Sequence, residues 1–449
     1  MTHPVRLPSR ILLLFVLIFG CSLLVVAQRR DAFVESRDHP AISYSTAPTS
    51  DPVSAFNARL ESGSASLKYD EATGYLRSVL DAFNVPVESQ MMVFSQTSFQ
   101  SSLIRMHNPR AVFFTDTVAV GYIRGAKIIE VAAQDPTQGV VFYEVSQEAN
   151  AKPAFKRNND CLACHLSWET LGVPGLMVQS VYPLRDENSY VNGFTTVHGS
   201  PLEQRWGGWW VTGDPGGAKH IGNVSVMYND NGSKLPSPTR PLPSLEGLFD
   251  LKGYLTPYSD LVALLVLAHQ TNMTNLITRT GWEARLAAAS PNRDGSARVT
   301  EAARDLVDYM LFVDEAPLAG PVKGGSGFAE AFSGKGPRDG QGRSLRDLDL
   351  RRRLFKYPCS YMIYTPAFDA LPTSAKNAVY TRLWEVLSGR ETQPRYRSLT
   401  IQDRQAIVSI LRETKRDLPD YFKQGASLQL PAPRAQSPAP RAESPKSRA

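Results

Sequence analysis

The chain has 449 residues, 42% of them hydrophobic and 20% charged, which is the make-up of an ordinary globular protein long enough for two or three domains. Its formal net charge of +6 sits at its ends: Arg6 and Arg10 carry +2, and the segment from Gln424 carries +3, leaving +1 for residues 28–423. A body so nearly neutral presents no basic field, which argues against nucleic acid as a partner.

Residues 11–27 are almost wholly apolar, follow Arg6 and Arg10, and end in Val25-Val26-Ala27 before a polar stretch. A basic start, an apolar middle and a small residue at the end read as a secretory signal cleaved after Ala27. At 17 residues the stretch also reaches the short limit of a spanning helix, so an inner-membrane anchor stays open. Cys21 after Gly20 has a faint lipoprotein-like setting, although Phe19 is large for it. Each version places the rest of the chain in the periplasm or otherwise outside the cytoplasm. No other long apolar run is apparent, so that remainder is expected to be soluble.

Residues 28–60 are polar and mixed, the composition of a linker. Residues 61–84 space Leu67, Tyr75, Leu76, Val79, Leu80 and Phe83 as one amphipathic helix would. From 91 to 146 the pattern becomes short β-branched and aromatic runs: Met91 to Phe94, Ala111 to Phe114, Val118 to Ile123, Ile128 to Val131 and Val140 to Val145. Turn residues at 124–126 and 135–139 separate the last three, and an antiparallel meander is expected.

Cys161-Leu162-Ala163-Cys164-His165 follows. This C-x-x-C-H spacing lets two thiols add across the two vinyl groups of one porphyrin and sets an imidazole under the iron. Asp160 is placed to cap a short helix there. Zinc would need two further ligands, and no second C-x-x-C exists. A thioredoxin-like pair would need a βαβ setting that is not apparent. With Cys21 in the leader and two thiols on the porphyrin, Cys359 is left without a disulfide partner and is expected to be a buried thiol.

Beyond the motif, Leu176 to Tyr182 and Tyr190 to Val197 read as strands, and Arg205 to Val211 gathers Trp206, Trp209 and Trp210. Residues 229–247 read as a loop or boundary. Helical periodicity then runs through 258–279, 297–313, 374–388 and 399–415. A glycine-rich stretch, 319–342, lacks the Gly-Lys-Ser/Thr ending of a phosphate loop and reads as a structural loop or, near the motif, a lid. Residues 424–449, rich in Pro, Ala, Ser and Arg, read as a disordered tail. The fold class expected is α+β: a β-rich region over 61–228 carrying the motif, and a helical region over 248–423.

A porphyrin iron held by His165 has a sixth position, whose occupant decides between electron transfer and chemistry. The candidates are His198, His220 and His269, with Met177, Met227 and Met273 as thioether options. His269 shares a helical arc with Val262, Leu265, Asn272, Met273 and Leu276, opposite Gln270, Thr274 and Thr278. His198 and His220 flank the tryptophans. Met177, only twelve residues past His165, comes too soon in the chain to cross to the far side of the iron. Trp206, Trp209, Trp210 and Tyr182 could line the porphyrin edge or simply pack a core, and Arg205 could pair with a propionate.

Cys161, Cys164 and His165 behind an export signal resemble the c-type cytochromes, specifically a single-haem member. That resemblance implies one covalent haem c, thioether bonds at both cysteines and His165 as the axial ligand. It departs from the small members, which are compact helical domains with the motif near the start. The stretches Arg205 to Gly213 and Leu354 to Tyr364 look like large single-haem exported bacterial proteins, a group that brings no established reaction. Two functions are therefore expected. One is electron transfer with a redox partner protein in the cell envelope. The other is a haem peroxidase- or oxygenase-like enzyme with an open distal side, using His269 or His220 for proton transfer and Arg205 for charge. A haem-based sensor or a structural subunit is the third class.

Overall fold

The alternating runs between 91 and 146 pair with their neighbours in sequence, each turning back on the last. In the computed structural model, which describes residues 33, 36–149, 152–182, 193–224, 241–290 and 293–423, they form an antiparallel meander. Its strands are β1 (Met91–Val93), β2 (Arg110–Phe114), β3 (Val118–Ile123), β4 (Ile128–Asp135), β5 (Gly139–Ser146) and β6 (Lys156–Arg157). A seventh strand, β9 (Trp209–Trp210), adds to the free edge of β1, giving the order β6-β5-β4-β3-β2-β1-β9. β7 (Val178–Val181) and β8 (Gly193–Thr196) make a separate two-stranded ribbon. The helices are α1 (Pro52–Glu61), α2 (Leu76–Ala82), α3 (Leu162–His165), α4 (Leu261–Ala289), α5 (Arg293–Met310), α6 (Phe328–Gly334), α7 (Pro366–Asp369), α8 (Thr373–Leu387), α9 (Ile401–Thr414) and α10 (Asp420–Lys423). The fold is α+β, with the sheet in the N-terminal half and the helices in the C-terminal half. The expected leader or anchor (1–27), the start of the linker, residues 229–240 and the tail (424–449) lie outside the described residues.

The two faces of the sheet meet different neighbours. Ala111, Phe113, Val118, Val120, Tyr122, Ile129, Val131, Val141 and Val145 point to one side and bury against Val53 and Phe56 of α1 and Leu76, Val79 and Leu80 of α2. Met91, Val93 and Phe114 belong to the other side and join the large core around α4. α4 is 29 residues long and apolar enough to cross a membrane, but it is packed inside the protein along nearly its whole length. Asp260 caps it, one carboxylate oxygen accepting from the amides of Val262 and Ala263. Its other oxygen accepts from Gly325, Ser326 and the Ser326 hydroxyl, so the glycine-rich stretch is tied to the start of α4.

Three expectations are revised by tertiary contacts. The residues from 36 to 60, expected as a linker, are docked on the sheet. The Tyr44 hydroxyl donates to the Val140 carbonyl at 2.8 Å, the Tyr143 hydroxyl donates to Asp51 at 2.6 Å, and Asp51 caps α1. The single helix expected over 61–84 is only the short α2, because α1 ends at Glu61 and the residues between them form a turned segment in which Asp70 and Gly74 pair as an isolated bridge. The one-sided α4 is instead buried all round, because Gln270, Thr274 and Thr278 find partners within the protein: Gln270 donates to Thr115 and accepts from the Tyr361 hydroxyl, and Thr278 donates to Thr274.

Asp51 joins a helix cap to a buried bond with the sheet. Asp51→Ala is expected to lower stability by about 2 kcal/mol, the loss of a cap plus a stranded Tyr143 hydroxyl. Urea unfolding checks this; an unchanged midpoint would mean the N-terminal segment contributes nothing to the folded body.

Candidate functional site

The motif is strung between the sheet edge and α4. β6 pairs Arg157 with Tyr143 and Lys156 with Glu144. The next residue, Asn158, donates its amide to the Phe142 carbonyl and caps a short turn over Asn159–Cys161 by accepting from the Asp160 amide at 2.9 Å. Asn158 thus takes the capping role expected of Asp160. α3 then carries Cys161, its N-cap, through His165 on one turn. Cys161 is half-buried, Cys164 is exposed, and both are free thiols.

His165 is fixed from the far side. Its Nδ1 lies 2.9 Å from the Gly175 carbonyl, and the Gly175 amide returns a bond to the His165 carbonyl at 2.9 Å. A carbonyl only accepts, so Nδ1 carries the proton and Nε2 carries the lone pair. Gly175 lies so close to Asn275 of α4 that any side chain there would collide with it. The Asn275 amide accepts from the Leu176 amide at 3.0 Å and donates to its carbonyl at 2.8 Å. The imidazole also packs on Phe142, ring centroids 4.7 Å apart. Burial lowers its pKa, which keeps the ring neutral.

Cys161, Cys164 and His165 line one side of a cavity of about 320 Å³, within the range of cofactor sites. The sheet supplies its floor through Val112, Ala119, Gly121 and Ala132. Register puts Gly121 opposite both Val112 and Glu130, and Ala119 opposite Ala132, so these small residues share a face. Val112 and Ala119 sit mid-sheet yet are only partly buried. Leu267 and Thr271 of α4, Leu176, Met177, Gln179, Trp209 and the loop from Ser95 to Phe99 close the remaining sides.

Within this apolar enclosure stands an ion pair, Arg110 with Glu130 at 2.6 Å. Glu130 also accepts from the Ser98 hydroxyl at 2.9 Å and the Gln100 amide at 3.2 Å. Arg110 Nε, the Ser95 hydroxyl and the Gln179 side-chain oxygen are buried without a protein partner, and all three residues line the cavity. Burial pushes the Cys161 thiol up to about 11 and raises that of Cys164. Thiols so raised are poor thiolate nucleophiles at neutral pH. Among the described residues no group of three or more His, Cys, Asp or Glu is placed to hold a metal ion by itself.

The other residues singled out in the sequence lie elsewhere. None of His198, His220 and His269 lines the cavity. His198 and His269 bond to each other, Nδ1 to Nδ1 at 3.2 Å, and stack with Tyr309 and Phe312. His198 Nε2 faces the Val313 carbonyl at 3.4 Å, so its Nδ1 accepts; His269 donates there and takes a bond from the Ser360 hydroxyl at 2.8 Å. His220 packs edge-on against Trp206 and accepts from Gly222. Arg205 is buried against the carbonyls of His198 and Ser200. Met273 is in the core and Met177 lines the cavity, whereas Met227 falls outside the described residues. Of the aromatics, Trp209 lines the cavity, and Trp206, Trp210 and Tyr182 do not. Cys359 is fully buried, its thiol pushed up to about 12. The glycine-rich stretch contributes nothing to the cavity wall.

Arg110 and Glu130 were not picked out from the sequence. Each interrupts an apolar strand on the face that Ala119, Gly121 and Ala132 leave bare, and that combination is the signal that would have found them. No protein-family model, curated protein or solved structure matches this chain.

The buried histidines make the fold acid-sensitive. Burial lowers His198 from 6.5 to about 3 and His220 to about 4, and holds His269 well below its usual range. The unfolded chain takes up these protons below pH 6.5 and the folded one does not, so stability falls as pH falls. By linkage His198 alone accounts for about 2 kcal/mol between pH 7 and pH 5. Glu315, raised by burial to about 7, works in the opposite direction. The comparison is therefore between wild type and His198→Phe. The variant is expected to show the smaller drop in urea midpoint between those pH values, and equal drops would contradict the assignment.

Proposed function

We propose that the chain is a mono-haem c-type cytochrome. One haem would be held in the 320 Å³ cavity by thioether bonds to Cys161 and Cys164, with His165 Nε2 on the iron. The observation that carries this reading is that C-x-x-C-H sits in the wall of a largely apolar cavity with its imidazole already in the tautomer an iron ligand needs. Several features support it. A floor of Ala119, Gly121 and Ala132 suits a flat ring system. Thioether sulfurs carry no charge at any pH, so linking Cys161 leaves no ionisable group at its half-buried position. Such a group supplies one-electron chemistry, and the chain's own residues orient it and limit its contact with water.

Electron transfer in the cell envelope, with a redox partner protein, is the function proposed first. It rests on the export signal expected over residues 1–27, which would leave the protein periplasmic or anchored to the inner membrane. A second reading, a peroxidase- or oxygenase-like protein with an open distal side, is favoured by one feature: the cavity wall is charged at Arg110 and Glu130, and the three candidate histidines lie away from it. In that case acid–base work would fall to Glu130 rather than to His269 or His220. Met177, the one methionine among the described residues that line the cavity, is the candidate sixth ligand for the first reading.

Two measurements test this. Ferric and reduced absorption spectra of protein made with the c-type maturation machinery should be low-spin in both states for electron transfer. A high-spin ferric spectrum that shifts with peroxide would favour the second reading. The cavity itself is tested with Ala119→Phe in two backgrounds. In the haem-loaded chain the new ring competes with the bound group, and stability should fall by about 1–3 kcal/mol. In a haem-free Cys161→Ala/Cys164→Ala chain the ring has open space, and stability should change little. Equal effects in both backgrounds would place the haem elsewhere.

A further inference from the structure

The polar end of the cavity is built for an anion. We propose that Arg110 and Ser95 form a binding site for a carboxylate or small oxyanion, with Glu130 as the internal counter-ion that such a ligand relieves; this rests on the haem reading of the cavity.

Among the described residues Arg110 is the one lysine or arginine lining the cavity. It leaves β2 on the cavity face, and its guanidinium lies across Gly121, where a side chain would strike it at 2.6 Å. Nη2 is engaged by Glu130, but Nε is buried with no partner. A guanidinium offers two edges for two-point recognition of a carboxylate, and a buried N–H left unmade is costly. Ser95 supplies a second donor. It lies in the loop two residues past Val93, the residue that pairs with Arg110, and like Arg110 it lines the cavity. The Ser95 side chain is buried, and its hydroxyl also lacks a partner. Two unpartnered donors, one on β2 and one on the loop after β1, match a ligand that only accepts. The third unpartnered atom, the Gln179 oxygen, is itself an acceptor and adds nothing for an anion.

Glu130 explains how the site stands without its ligand. Its carboxylate neutralises Arg110 and is separately bonded to Ser98 and Gln100. When Arg110 turns to a ligand, those two bonds keep Glu130 satisfied. The anion has two chemical sources, a propionate of the haem or a free oxyanion from solution. The recognition is the same for both, and the charge balance predicts opposite effects of removing Arg110 and Glu130.

The test uses the full chain with haem attached, which the cysteines secure independently of Arg110. Nitrite is titrated into the ferric protein and read by absorption. If the source is a free oxyanion, wild type gives a saturable change, Arg110→Gln weakens it by about tenfold or more, and Glu130→Gln tightens it. If the source is the haem's own carboxylate, nitrite has no effect. The midpoint potential then becomes dependent on pH between roughly pH 5 and 8 in Arg110→Gln, because the buried acid loses its cation; it does not in Arg110→Lys. Haem-loaded Arg110→Gln matching wild type in both measurements overturns the site while leaving the haem reading intact. A wild-type chain that carries no covalent haem removes that reading and this inference together.

Discussion

The bond from His165 Nδ1 to the Gly175 carbonyl is the contact on which the site depends. It fixes the tautomer and leaves the lone pair on Nε2 of a ring that lines the cavity. Leu176, the next residue, is held at both backbone groups by Asn275, so that α4 positions the carbonyl that the imidazole meets. The other end of the motif is held by the sheet, through Asn158 and the Phe142 carbonyl. A four-residue helix has no stability of its own. Here it is positioned because two rigid elements, distant in sequence, grip it at either end.

The cavity follows from residue size on one face of the sheet. Val120, Val131 and Val141 fill the side packed on α1 and α2, whereas Ala119, Gly121 and Ala132 leave the opposite side low. Interiors are close-packed as a rule, so partly covered apolar residues in the middle of a seven-stranded sheet mark an open apolar surface beside the motif. Arg110 and Glu130 bring the polar groups of that surface, and the loop carrying Ser98 and Gln100 is tied down by the same carboxylate.

Local patterns were legible in the sequence and long-range ones were not. The runs over 91–146 became strands where expected, and α5, α8 and α9 matched their periodic stretches, because alternation and 3.6-residue spacing are properties of neighbours. α4 was legible as a helix but not as one buried all round, since that depends on Thr115 and Tyr361 partnering Gln270. Residues 36–60 looked like a linker because their anchors, Val140 and Tyr143, lie far along the chain. Cys161, Cys164 and His165 could be read as a unit because five consecutive residues carry their chemistry. His198, His220 and His269 are buried, as their surroundings suggested for His269, but burial leads His198 and His269 to each other and His220 to Trp206. Which residues face the motif is decided by strand register and the return of the chain at Gly175, and composition records neither.

The central claim is that Cys161 and Cys164 carry a haem. Intact mass spectrometry of the chain from a maturation-competent host, followed by peptide mapping, tests it most directly. The account predicts the mass increment of one haem, retained on denaturation and located on the peptide containing residues 161–165. An unmodified peptide with both thiols open to alkylation would contradict it, and the cavity would then belong to some other ligand.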